Sequence, residues 1–169
     1  MDWYQIVLRL VHIMAGAFWA GSFYFFFFFV EPSVEELGPT GQQFVAHLED
    51  KRKLSKVLSA AAGLTILAGI LLYWRDSDGF SGAWISSGPG IAFTIGGAAA
   101  IFAFAAGFSV IRPTVARMGE IGREIGGGPP GEAHLAEIQR LSGKLKNVGR
   151  VVFVLITIAL ATMATARFW

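Results

Sequence analysis

Residues 10–30 read LVHIMAGAFWAGSFYFFFFFV, a run of 21 in which His12 is the one side chain that titrates near neutral pH. A helix rising 1.5 Å per residue needs about 20 apolar residues to cross about 30 Å of hydrocarbon. This run therefore reads as a transmembrane span. Its Phe25–Phe29 segment surrounds the helix completely, so part of it faces lipid and part faces neighbouring helices. Three further runs match it: Val57–Trp74 with 18 residues, Ile91–Ile111 with 21 and Val151–Ala166 with 16, none with a charged residue. The last extends through Val148 and Gly149 past Arg150, whose long stem lets its charge reach the interface. The sequence predicts an all-α integral membrane four-helix bundle, a single domain over 1–169.

Composition agrees. The chain is 54% apolar and 15% charged, against about 45–50% and about 25% for ordinary globular proteins. Asp2 precedes the first apolar run without a small-residue cleavage pattern, so that run is read as a mature helix. The chain has no cysteine, which removes disulfides, thiolate metal sites, iron–sulfur clusters and cysteine nucleophiles together.

Basic residues set the expected orientation. Lys51, Arg52, Lys53 and Lys56 lie between spans 1 and 2, and Arg112, Arg117, Arg123, Arg140, Lys144, Lys146 and Arg150 between spans 3 and 4, together 11 of 14. Those connections should be cytoplasmic in a multi-pass cell-membrane protein, with both termini outside. Arg9, Arg75 and Arg167 fall on the outer side, as do the interfacial aromatics Trp3, Tyr4, Tyr73, Trp74, Trp84 and Trp169. The connections carry helical periodicity of their own. Phe44, Val45, Leu48 and Leu54 mark Gly41–Lys56, which leads into span 2 without a breaker. Leu135, Ile138, Leu141 and Leu145 mark Glu132–Lys146. The spans are thus expected to project beyond the bilayer as amphipathic helices.

The chain also repeats. Val30-Glu31-Pro32-Ser33-Val34 aligns with Ile111-Arg112-Pro113-Thr114-Val115 at an offset of 81, and Gly38 and Gly41 align with Gly119 and Gly122. After the insert Gly126–Gly131 the offset becomes 87, pairing His47-Leu48 with His134-Leu135 and Leu54-Ser55 with Leu141-Ser142. Two hairpins, about 1–76 and about 84–169, therefore form a parallel repeat about an axis along the membrane normal. Pro32 and Pro113 are expected kinks near the inner interface.

His12 is the chemical candidate, because an ionisable group inside a span is costly without a partner and imidazole is a common axial ligand of haem iron. Gly16 follows one turn later and Ala20 another turn on, small residues that admit a flat macrocycle, with Trp19 and Phe23 on the flank. The alternative is that His12 hydrogen-bonds a neighbouring helix while Gly16 and Ala20 form a close helix crossing. Contact with a quinone or another small molecule is a third option. The 81 offset maps His12 onto Phe93, Gly16 onto Gly97 and Arg9 onto Gly90, so the second hairpin keeps the glycine and loses imidazole and guanidinium. Arg9 and Arg75 are candidates for haem propionates, since a guanidinium matches a carboxylate bidentately, or else interfacial anchors. His47 and His134 lie too far along the chain to reach the same iron.

Several classes are disfavoured. The chain has no Walker loop, no HExxH, no paired intramembrane carboxylates and no acid inside a span that would bind a coupling ion.

Leu10-Val11-His12 through Phe18-Trp19-Ala20-Gly21 resembles the first helix of small bacterial four-helix membrane proteins, namely the copper-resistance D-like group and the short membrane protoporphyrinogen oxidases. Gly69 through Leu72-Tyr73-Trp74-Arg75-Asp76 and Arg112-Pro113-Thr114-Val115 extend the likeness over the whole helix plan. The resemblance implies haem b held by the first-helix histidine. The lysine of the oxidases' third helix is absent from Ile91–Ile111, and Met1, Met14, Met118 and Met163 are scattered rather than clustered as soft copper ligands are. The expectation is a membrane b-type haem protein with His12 on one face of the iron and, if the haem lies between spans 1 and 3, Phe93 toward the other. Met163 is the only weak substitute ligand at that depth. An open axial site of this kind suits NO, CO or O₂. A haem-dependent porphyrinogen or quinol oxidoreductase, a cofactor-free structural or permeation protein, and a homodimer sharing one haem between two His12 residues are the alternatives.

Overall fold

The structure is a computed structural model that describes residues 2–125 and 128–169. The described residues form helices joined by short turns, with no strand among them. Four stretches are long and apolar enough to cross a membrane: Trp3–Leu37, Leu54–Asp76, Gly88–Ile125 and Glu132–Phe168. The first comprises α1 (Trp3–Phe25), a π-helical segment π1 (Phe26–Val30) and α2 (Glu31–Leu37). Then come α3 (Pro39–Arg52), α4 (Leu54–Asp76) and the short α5 (Gly82–Ile85). The third stretch is α6 (Gly88–Ala106), π2 (Gly107–Ile111) and α7 (Arg112–Ile125), and α8 (Glu132–Thr165) closes the chain with a 3₁₀ turn, Ala166–Phe168.

The solvent of this bundle is lipid. Ile13, Met14, Leu67 and Phe102 lie in mid-span and are each more than 60% exposed on the chain's surface, an arrangement water would penalise and hydrocarbon does not. The interior is built from short side chains instead: Ala20, Ala62, Ala68, Ala92, Ala99 and Ala103 are all buried. Lipid is as apolar as leucine, so membrane helices associate by close backbone approach, which small residues permit.

Helix α1 packs on α4 and α6 packs on α8, forming two hairpins joined through α4–α6 and α1–α8 contacts. The Tyr73 hydroxyl lies 2.6 Å from Thr94 Oγ1 and ties α4 to α6. Tyr24 and Thr157, 3.0 Å apart, tie α1 to α8.

The duplication is visible in the backbone. Segments π1 and π2 begin and end 81 residues apart, each running into a proline. Pro32 and Pro113 lack an N–H, so the carbonyls of Phe28 and Ser109 lose their helical donor, and the ring needs room there. A turn widened to π geometry supplies it. The Ser33 hydroxyl donates to the Phe29 carbonyl at 2.7 Å, and its repeat mate Thr114 donates to Val110 at 2.6 Å.

Beyond the prolines the repeats diverge. The expectation of an unbroken path from Gly41–Lys56 into span 2 is corrected: Lys53 adopts a left-handed conformation (φ 54°) and α4 starts anew at Leu54. The Glu49 carboxylate caps the new start, accepting from the Ser55 N–H at 3.2 Å and its hydroxyl at 2.5 Å. A second break falls at Gly38, also at φ 54°. Their counterparts Gly119 and Arg140 lie inside α7 and α8, and α8 runs 34 residues without interruption. The second extension is a packed hairpin with Ile121 and Leu141 buried, clasped by Arg117 on Glu137 at 3.1 and 3.2 Å. Gly126 and Gly127, the first residues of the insert, lie outside the described residues.

Candidate functional site

His12 faces α4. Its Nδ1 lies 2.8 Å from the Thr65 carbonyl oxygen. A carbonyl only accepts, so Nδ1 carries a proton, and in the neutral ring the lone pair is then on Nε2. Helical geometry explains why that carbonyl is open. Cβ atoms tilt toward the helix N-terminus, so the residue at i+4 covers the carbonyl of residue i. Here i+4 is Gly69. A Cβ added there would stand 2.9 Å from His12 Cε1 and 3.1 Å from Nδ1.

The contact is reciprocal. Gly16, one turn after His12, receives the Thr65 methyl, which would lie 3.3 Å from an added Cβ. Imidazole thus fills the notch over Gly69 while the threonine methyl fills the notch over Gly16. Thr65 is buried and turns its hydroxyl to the Ala61 carbonyl at 2.8 Å. Nε2 has no partner among the described residues and is not closed over by neighbouring atoms.

The remaining candidates disperse. Trp19 packs against the buried cluster of Ala20, Ala103, Val152 and Ile156. Phe93 lies flat on Trp84, with ring centroids 6.2 Å apart and planes 6° apart, in an aromatic cluster with Tyr73. Gly97 faces open space, with nothing within 4 Å of an added Cβ. The glycine that serves the α6–α8 crossing is its neighbour Gly96, where an added Cβ would meet Thr162 at 2.6 Å and Met163 at 2.9 Å. Met163 therefore belongs to that crossing.

Arg9 and Arg75 stand at the end of the bundle that carries the termini, each against a carboxylate. Arg9 approaches Asp76 at 3.6 Å, Arg75 pairs with Asp2, and Gln5 donates to Asp76 at 3.0 Å. Beside them opens a cavity of about 450 Å³ lined by Gln5, Trp74, Arg75, Asp76, Asp78 and Gly79. His47 is exposed on α3, and His134 faces Glu124 at 3.6 Å on the α7–α8 extension. Among the described residues no group of three or more His, Asp or Glu gathers to hold a metal.

Sequence reading missed Thr65 and Gly69. The signal was there, since Thr65-x-x-x-Gly69 and His12-x-x-x-Gly16 share one spacing, but nothing in the sequence said that the two would face each other. No protein-family model, curated protein or solved structure matches the chain.

Proposed function

We propose that this protein is a membrane-bound b-type haem protein in which His12 Nε2 holds the iron and the opposite axial position is left to a small gas such as NO, CO or O₂. The observation that carries the reading is the state of the His12 ring. Metal-ligating histidines commonly donate their other N–H to a backbone carbonyl, which fixes tautomer and ring plane and raises ligand basicity. His12 has this posture, with Nδ1–H on Thr65 and Nε2 unpartnered.

The donor fits such a group. Among the described residues Ala20, Ala92, Ala99 and Ala103 are buried and close the core of the bundle. His12 would therefore present Nε2 outside that core, from the α1–α4 hairpin. Thr65 and Gly69 hold the imidazole still, and Gly16 keeps the crossing tight. When bound, the iron would supply reversible coordination of a neutral diatomic ligand in an apolar setting. Arg9 and Arg75 are the cations at the outer mouth; a propionate would have to share them with Asp76 and Asp2. We place the termini outside and the α2–α3 and α7–α8 extensions in the cytoplasm, on the strength of the basic-residue bias.

The reciprocal notches also favour a second reading, in which His12 is a tether between α1 and α4 and binds nothing. His12→Asn separates the two, because its amide can still donate to Thr65 but cannot serve as a strong iron ligand. The haem reading predicts a folded variant that has lost the Soret band of the wild type. A wild type purified without haem from haem-replete cells, with both proteins equally stable, would leave only the tether.

A further inference from the structure

The break at Lys53 carries a cationic knuckle. Lys51, Arg52, Lys53 and Lys56 fall within six residues, and all four are exposed. Among the described residues none of them joins an ion pair. The nearby Glu49 is turned away to cap Ser55, which leaves exposed Asp50 as the adjacent acid. In the second repeat part of the charge is paired. Arg117 is held by Glu120, Glu124 and Glu137, and Lys146 sits 2.6 Å from Glu35. At the 87 offset the knuckle maps onto Ile138, Gln139, Arg140 and Gly143, a single cation on an unbroken helix. Break and charge cluster thus occur together, in one repeat only.

Their depth is defined. Lys56 immediately precedes the apolar run 57–74 and Lys53, at the start of α4, lies about 6 Å of helix rise from it, inside the Debye length of about 8 Å at physiological salt; Lys51 and Arg52 adjoin it across the break. Around the same joint Leu37, Phe44 and Val57 are each about half exposed. Leu37 ends α2, Phe44 lies on α3 and Val57 is near the start of α4, so the exposed apolar surface belongs to the joint, beside a basic cluster at the edge of a membrane span.

We propose that α3 and the Lys51–Lys56 knuckle form a seat for anionic phospholipid headgroups of the bilayer that holds the protein. Phe44 and Leu37 rest at the acyl boundary, and the four cations lie over the headgroup phosphates. The left-handed Lys53 makes this possible by releasing α3 from the axis of α4. Near an anionic surface each cation strengthens association by roughly fivefold.

The test places the full-length protein in neutral phosphatidylcholine nanodiscs and compares spin-labelled phosphatidylglycerol with spin-labelled phosphatidylcholine at the protein boundary. The wild type should prefer the anionic lipid severalfold, and Lys51→Gln/Arg52→Gln/Lys56→Gln should bring the ratio close to one. Arg123→Gln, a cation about 18 Å of helix rise beyond Ile111, should leave it unchanged. Equal association in the wild type, or a preference kept by the triple variant, would overturn the proposal. Should that variant fail to fold, a salt titration of the wild type decides: a screened preference supports the seat, and one indifferent to salt overturns it. Inorganic phosphate should displace the labelled lipid no more than chloride of matched ionic strength; stronger displacement would assign the seat to free phosphate.

Discussion

The imidazole of His12 and the carbonyl of Thr65 meet at 2.8 Å over a bare Gly69. This one contact makes Nδ1 the donor, joins α1 to α4 in packing and leaves Nε2 without a partner among the described residues.

Gly69→Ala should disturb it. The new Cβ would stand 2.9 Å from His12 Cε1, too close to keep the ring in place. Overpacking of this kind costs about 1–3 kcal/mol, so the unfolding midpoint should fall, and any haem bound at His12 should be lost or shifted in spectrum. Gly97→Ala is the matched control, since its Cβ meets nothing within 4 Å. It should be neutral or stabilising by up to about 1 kcal/mol through helix propensity. Equal effects from the two variants would refute the notch.

The π segments make a second pair of cases. Thr114 is 4% exposed and satisfies the Val110 carbonyl, whereas its mate Ser33 is exposed where it bonds Phe29. Thr114→Val should cost about 1 kcal/mol, the usual net value of a buried hydrogen bond, and Ser33→Ala clearly less. Circular dichroism through detergent-induced unfolding would measure the difference.

Acid should loosen the α7–α8 extension. The hydrogen bond from Arg117 holds the Glu137 carboxyl below its ordinary value of 4.5. A carboxylate depressed by folding contributes stability that is fully present above that ordinary value and is lost as pH falls through the lower folded one. The protection factors of α7 amides, corrected for the pH dependence of intrinsic exchange, should therefore fall as pH drops below about 4.5. In Glu137→Gln the extension should be weaker at neutral pH and this acid dependence largely absent.

The four spans were legible because an uninterrupted apolar run of about 20 residues has few other readings. The duplication was legible too, from Pro32 and Pro113 with their flanking residues. What the prolines do was not: a proline says that a carbonyl loses its donor, and only the three-dimensional chain shows the widened turn and the Ser33 and Thr114 hydroxyls that bond the next carbonyls, Phe29 and Val110. Lys53 was missed because no sequence rule marks a lysine as left-handed; Glu49 capping Ser55 settles that conformation across six residues. Gly97 was picked over Gly96 because the repeat aligned it with Gly16. One residue is 100° of helix, enough to turn a packed glycine into an open one.

Orientation is checked by labelling. The native chain has no cysteine, and Gly82 and Gly131 both face open space. On intact cells an impermeant maleimide should label Gly82→Cys and spare Gly131→Cys until the membrane is permeabilised. The reverse pattern would invert the topology.

The absorption spectrum of the reduced wild-type protein, recorded before and after adding CO, tests the central claim most directly. With His12 Nε2 as one axial ligand and the opposite site open, a Soret band should be present and should shift on CO binding. A colourless protein from haem-replete cells, or a six-coordinate spectrum that ignores CO, would contradict the account.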